Sequence, residues 1–225
     1  MVELKPTDKR IGLWRAGTLR AAAGISMAAA VSAGVHGTVF VASAPATVSP
    51  AETAASGFYA HLSDLRFVDQ EGRAFRPAGL QGKVVLLNFV FTGCSSTCPV
   101  QTRELVALQR ALPASLRRDV RFLSVSVDPL GDTPARLRAY GQSAGADFSS
   151  WTFATGRPQD IERLGERLRL FRDVTAAGRP EDHTTSLWLV GGNGQLMQRY
   201  VGVGIDRARL ADDIAQVRAL GAGPG

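Results

Sequence analysis

The chain has 225 residues, of which 45% are hydrophobic and 20% are charged, and it carries a formal net charge of +6 with only two cysteines. The apolar fraction is large enough for an ordinary globular core, so a disulfide framework is not needed to hold the fold. Five basic and two acidic side chains within residues 1–20 account for half of the net charge, and no basic block follows, which argues against a nucleic-acid partner.

An uncharged segment follows this basic start. Residues 21–51 contain no Asp, Glu, Lys or Arg and are rich in Ala, Val, Gly and Ser. We interpret residues 1–46 as a signal peptide, with cleavage after Ala44-Pro45-Ala46, or as an uncleaved N-terminal membrane anchor; a disordered tail is the remaining alternative. Both targeting interpretations place the rest of the chain beyond the membrane, because basic flanks stay inside. Residues 47–57 predict a linker.

Strand and helix patterns alternate over residues 58–220, and residues 221–225 predict a frayed tail. In chain order the pattern predicts a hairpin over 58–76 with its turn at Asp69–Gly72, a strand over 84–91, a helix from about Pro99, a strand over 120–127, a helix opened by Asp132-Thr133-Pro134, a strand over 151–155, a helix from Pro158, a strand over 186–190, its hairpin partner over 195–201 and a helix from Asp206. The nearly continuous apolar run over 84–91 is typical of a strand buried on both faces. This order predicts one α/β domain with a mixed sheet and helices on both faces.

The two cysteines, Cys94 and Cys98, lie between the buried strand and the helix that follows it. Reactive groups collect at the carboxyl ends of strands in open α/β sheets, and a helix N-terminus lowers thiol pKa values. A spacing of four brings the two sulfurs within reach of one metal ion or of each other. Four interpretations remain open: a redox dithiol, a copper(I) site with a third ligand, a structural disulfide, or half of a zinc site.

A third metal ligand would have to come from the three histidines. His36 falls in the targeting segment, and we expect His61 to be a surface or packing residue of the early hairpin. His183 follows Asp182 just before the strand predicted over 186–190. A lone histidine before a strand is more often structural or solvated, and that interpretation stays open for His183. Because an acidic neighbour can orient an imidazole ring or attract a cationic partner, His183 is nevertheless the candidate ligand.

An acidic motif, Asp128-Pro129-x-x-Asp132-Thr133-Pro134, follows the strand predicted over 120–127. One interpretation is a turn followed by a helix cap, because Asp is a common cap residue. The other is an acidic rim near the thiols that helps to dock a partner. The residues favour the cap and leave the second interpretation open.

Together these segments resemble the Sco/SenC family of copper-binding, thioredoxin-like proteins. The resemblance rests on the segments Phe91-Thr92-Gly93-Cys94-x-x-x-Cys98-Pro99, Ser124-Val125-Ser126-Val127-Asp128-Pro129 with Asp132-Thr133-Pro134, Asp182-His183-Thr184, Trp151–Gly156 and the Gly-rich hairpin at 191–194. It extends over about residues 58–220. One departure is Ser-Ser-Thr at 95–97, where many relatives carry Pro and Asp after the first cysteine.

The resemblance implies a thioredoxin-like fold in which Cys94, Cys98 and His183 bind copper and Asp182 is the acidic neighbour. The family assembles the CuA centre of cytochrome c oxidase, by delivering copper or by reducing the cysteines of that centre. Members are tethered by one N-terminal helix or exported. We therefore expect this chain on the periplasmic side of a bacterial inner membrane, attached to the membrane if residues 1–46 are not cleaved.

Two functions of different classes follow as hypotheses. The first is a monomeric metallochaperone that exchanges copper with other carriers and with the CuA-bearing oxidase subunit. The second is an enzyme, a thiol–disulfide reductase in which Cys94 attacks the target disulfide and Cys98 resolves the intermediate. The three-residue spacing between the cysteines differs from the CxxC of typical redox motifs and favours the metal.

Overall fold

A seven-stranded mixed sheet organises residues 57–170 and 185–221, the part of the chain that the computed structural model describes. All of these residues belong to one unit within Ala46–Gly225. The predicted targeting segment and the proposed ligand His183 lie outside the described residues. None of the helices within 57–170 and 185–221 has the length and hydropathy needed to cross a membrane.

The strands and helices alternate nearly as the sequence pattern predicts. The strands are β1 (Phe67–Asp69), β2 (Ala74–Phe75), β3 (Val84–Val90), β4 (Val120–Ser126), β5 (Trp151–Gly156), β6 (Ser186–Val190) and β7 (Leu196–Val201). The α-helices are α1 (Thr97–Ala111), α2 (Ala114–Arg117), α3 (Pro134–Ala144), α4 (Pro158–Leu168) and α5 (Arg207–Gly221). Two short 3-10 helices, Phe58–Leu62 and Pro77–Leu80, precede β1 and β3.

The strand order is β2-β1-β5-β4-β3-β6-β7, which places β3 and β4 in the interior of the sheet. β4 runs parallel to both β3 and β5, whereas β6 pairs antiparallel with β3 and with β7. In the β3–β4 register Val90 lies beside Ser126, so the carboxyl ends of these two strands meet at one edge of the sheet. This architecture confirms the predicted α/β fold with a mixed sheet.

Each face of the sheet has its own apolar core. Alternate residues of β3 point to opposite faces, so all seven of its residues are buried. Val85, Leu87 and Phe89 join the core covered by the first 3-10 helix and α4. Val84, Leu86 and Val90 join the core covered by α1, α3 and α5. The prediction of a strand buried on both faces is confirmed.

The predicted hairpin over 58–76 is correct only in its second half. Asp69 accepts hydrogen bonds from the backbone of Glu71 and Arg73, which closes the predicted turn between β1 and β2. Residues 58–62 form a 3-10 helix instead of a strand because Phe58, Tyr59 and Leu62 share a buried side. His61 lies on the exposed side of that helix, as expected for a surface residue.

A close approach to aromatic rings makes Gly141 in α3 sensitive to substitution. A Cβ atom at this position would lie 2.7 Å from Phe148 Cε1 and 2.9 Å from Phe153 Cε2. We expect Gly141→Ala to lower the free energy of unfolding by about 1–3 kcal/mol through overpacking. Urea unfolding measures this, with exposed Ser143→Ala as control, expected within about 0.5 kcal/mol of wild type. Stabilisation by the ~1 kcal/mol that helix propensity alone predicts would contradict the tight packing.

Candidate metal and thiol site

The chain passes from the end of β3 into α1 through the six-residue loop 91–96. Cys94 lies in this loop and is partly exposed, whereas Cys98 lies in the first turn of α1 and is only 3% exposed. Helix α1 begins at Thr97, two residues before the predicted start at Pro99. Both cysteines are free thiols. The structure therefore brings the two predicted site cysteines together at the carboxyl edge of the sheet.

The sulfur of Cys94 lies at the N-terminus of α1. The backbone N–H of Cys98 donates a hydrogen bond to Cys94 Sγ at 3.4 Å. Ser96, the residue at the N-cap position, makes no capping hydrogen bond with its side chain, so the sulfur accepts a bond that an N-cap oxygen usually accepts. The hydroxyls of Ser96 and Thr97 lie 3.9 Å and 3.8 Å from the same sulfur.

These contacts give the two thiols opposite acidities. Burial opposes ionisation of Cys94, but hydrogen bonds from the backbone of Cys98 and Ser96 and from the Cys98 and Thr97 side chains lower its pKa to about 7. Burial raises the pKa of the Cys98 thiol to about 12, and the adjacent Cys94 sulfur adds to that increase. The accessible thiol is thus the nucleophilic one, and the buried thiol is held neutral.

The loop that carries Cys94 is tied to the end of β4 by Asp132. Its carboxylate accepts hydrogen bonds from the backbone N–H and hydroxyl of Thr92 and from the hydroxyl of Ser126. With 1% exposure, Asp132 forms no acidic rim, so the docking interpretation is wrong for this residue. The expected cap on α3 is supplied by Thr133, which accepts from the N–H of Arg136, while Asp128 closes the predicted turn.

Two further hydrogen bonds hold α1 at residues that follow Cys98 in the helix. Asn88 Nδ2 on β3 donates to Gln101 Oε1 at 3.0 Å. The hydroxyls of Thr102 and Tyr140 lie 2.8 Å apart and join α1 to α3. Residue patterns alone did not identify these partners. The available signal was the buried polar side chain of Asn88 within an apolar strand, because such a group requires a partner.

The described residues contribute two of the three predicted copper ligands. His183 lies outside them, so its position relative to the thiols stays a prediction. Within 57–170 and 185–221, no group of three or more His, Cys, Asp or Glu side chains could hold a metal ion. The two sulfurs are soft donors that suit copper(I) and leave a coordination position for an imidazole. The chemistry of this donor pair therefore fits copper, with zinc disfavoured by the small number of ligands.

Fold and site together define a thioredoxin-like domain with a CxxxC thiol pair at the start of its first α-helix. The model of the SCO1/SenC family matches residues 54–219, and the chain belongs to this family. The SCO1 protein homolog of Bacillus subtilis is 36% identical over 141 residues, which cover 61% of this chain and 72% of that protein.

Solved structures show the same relationship. One is BsSco, described as a member of the Sco family of cytochrome c oxidase assembly proteins with a disulfide switch. It is 30% identical in sequence to this chain and superimposes with a TM-score of 0.59, and the match covers 69% of this chain and 91% of the BsSco chain. Another is Bradyrhizobium japonicum ScoI with copper bound. It is 26% identical in sequence to this chain with a TM-score of 0.57, and the match covers 68% of this chain and 96% of the ScoI chain. The predicted family and the thioredoxin-like fold are thereby confirmed.

The different acidities of the two thiols predict selective alkylation of the reduced, metal-free protein. With iodoacetamide at pH 8, Cys94 should react at least ~100-fold faster than Cys98, because only Cys94 is largely a thiolate at this pH. The Cys94 rate should rise through a midpoint near pH 7 and then level off. Peptide mass spectrometry at timed quenches measures both rates.

Thr97→Val provides the matched comparison, because it removes a hydroxyl from the surroundings of Cys94 Sγ and keeps both cysteines. The midpoint for Cys94 should move to higher pH in this variant. Equal alkylation rates for the two cysteines, or a wild-type midpoint in the ordinary thiol range above pH 8, would contradict the described environment.

Proposed function

We propose that this chain is a copper metallochaperone for assembly of the CuA centre of cytochrome c oxidase. Cys94, Cys98 and His183 would bind one copper ion as cargo, and the acceptor would be the CuA-bearing oxidase subunit. The observation that carries the proposal is the pairing of a partly exposed and a buried thiol at the N-terminus of α1, in a chain of this family. Copper(I) prefers such soft ligands.

The unequal burial of the two thiols suits a site that must release its cargo. Cys98 is held within the first turn of α1 and is almost inaccessible, so it would remain bound to the ion longest. Cys94 lies in the loop, where a ligand from an acceptor protein can approach and replace it. Stepwise exchange of this kind keeps the soft ion coordinated throughout the transfer.

The place of action belongs to the same proposal. The basic start and uncharged run over 21–51 support export to the periplasmic side of a bacterial inner membrane, with residues 1–46 cleaved or retained as an anchor. The domain would act there as a monomer, exchanging copper with other carriers. A linker over 47–57 would give an anchored domain the freedom to reach the oxidase subunit.

A second candidate function, thiol–disulfide reduction, is favoured by the acidity of Cys94. Its thiolate would attack a disulfide of the copper-site cysteines and form a mixed disulfide while the leaving thiolate takes up a proton. Cys98 would then lose its proton and attack Cys94 Sγ. This step releases the second target thiol and leaves a Cys94–Cys98 disulfide, so two electrons pass to the target. A separate thiol reductant would restore the dithiol.

Replacement of His183 separates the two functions because it leaves both thiols in place. His183→Ala should lower copper(I) affinity at least ~100-fold, since loss of even an outer-shell partner of a metal ligand costs 10–100-fold. Competition with a chromophoric copper(I) chelator measures this, and exposed His61→Ala is the matched control with unchanged affinity. Unchanged affinity in His183→Ala would contradict the three-ligand site.

The same variant should still reduce a model peptide disulfide at the wild-type rate. Copper delivery predicts that cells carrying His183→Ala assemble no functional CuA centre although disulfide reduction is intact. Normal CuA assembly in such cells would instead assign the function to thiol exchange.

A further inference from the structure

A buried carboxylate next to the thiol loop has no part in the chemistry proposed above. Asp132 accepts the Thr92 N–H at 3.1 Å from each of its oxygens, the Thr92 hydroxyl at 2.6 Å and the Ser126 hydroxyl at 2.6 Å. All of these donors are uncharged. Among the residues that the structure describes, no cation forms a salt bridge with Asp132.

The hydrogen bonds from Thr92 bear directly on the position of Cys94. The N–H of Cys94 donates to the carbonyl of Phe91 at 3.1 Å, so Thr92 is one of the two central residues of a turn that ends at Cys94. Asp132 holds both polar groups of Thr92 that can donate, its N–H and its hydroxyl. The orientation of this turn determines where the Cys94 sulfur lies relative to α1.

The opposite side of Asp132 is fixed to the sheet. Ser126, which bonds to its carboxylate, is the last residue of β4, and the Asp132 N–H donates to the carbonyl of Asp128 at 2.8 Å. The N–H of Val127 donates to Val90 at the end of β3. The carboxylate therefore connects the thiol turn to the adjoining ends of two interior strands, β3 and β4.

We propose that Asp132 is a positioning residue that fixes the Phe91–Cys94 turn and thereby holds Cys94 Sγ against the N–H of Cys98. Burial of a carboxylate without a cation is costly, and a simple structural turn does not require one. The consequence for copper binding rests on the function proposed above. The positioning itself does not, and it can be tested without metal.

The test uses two variants that each weaken the hydrogen bonding between Thr92 and Asp132, and one matched control. Asp132→Asn keeps the side-chain shape but replaces one acceptor oxygen by an amide donor. Thr92→Val removes the hydroxyl and keeps the backbone N–H, so it remains informative if Asp132→Asn does not fold. The control is Asp160→Asn, the same substitution at a fully buried carboxylate on α4 that is bound by Arg157 and Arg163.

The first measurement is amide hydrogen exchange by NMR on the reduced, metal-free protein. Asp132→Asn and Thr92→Val should each accelerate exchange at Cys94 and Cys98 about 10-fold, equivalent to loss of one hydrogen bond. Exchange in the double variant should be little faster than in either single variant, because both substitutions act on the same hydrogen-bonded pair, Thr92 and Asp132. Asp160→Asn should lower Tm without changing exchange at the two cysteines. Unchanged exchange in Asp132→Asn, or equal acceleration in Asp160→Asn, would overturn the proposal.

The second measurement is copper(I) affinity of the same variants by chelator competition. We expect a fall of about 10–100-fold in Asp132→Asn and Thr92→Val, and none in Asp160→Asn. If wild type binds no copper(I) while the exchange pattern is as predicted, the proposed function fails and the positioning role stands. If the exchange pattern is absent while wild type binds copper(I), the positioning role fails and the proposed function stands.

Discussion

The hydrogen bond from the Cys98 N–H to Cys94 Sγ is the contact on which the chemistry of this site depends. It exists because only six residues separate the end of a strand buried on both faces from the start of a helix, which leaves the chain a short loop in which to place the first cysteine. The helix N-terminus then offers unpaired N–H groups to the sulfur. One thiol becomes acidic at the surface, and the other is enclosed by the fold and stays neutral.

The rest of the domain is a support for this arrangement. Apolar residues of β3 anchor it in two cores, while Asn88 on the same strand is bound to Gln101 and so fixes the first turns of α1. Asp132 holds the loop from the neighbouring strand end. Loop and helix are thus attached separately to the sheet, so the distance between the two sulfurs is set by the scaffold as well as by the local chain. A site that binds a soft ion and releases it benefits from such preorganisation.

Local sequence patterns were sufficient to predict most of the fold, because the nearly continuous apolar run of β3 and the apolar stripes of α1, α3 and α5 are local properties of the chain. The 3-10 helix over 58–62 was missed because Phe58 and Tyr59 also suit a strand, and only packing against α4 decides between the two. The role of Asp132 was missed for a different reason. Its partner Thr92 is 40 residues away in sequence, and only the parallel register that places Val90 beside Ser126 brings them together. The cysteines were identifiable from spacing, whereas the residues that position them were not.

X-ray absorption spectroscopy at the copper edge of the copper(I)-loaded protein tests the central proposal most directly. We expect one copper per chain surrounded by two sulfur scatterers and one imidazole nitrogen, and one sulfur fewer in Cys94→Ser. A spectrum with only nitrogen and oxygen scatterers, or a spectrum that Cys94→Ser leaves unchanged, would contradict a copper site built on the thiol pair at the start of α1.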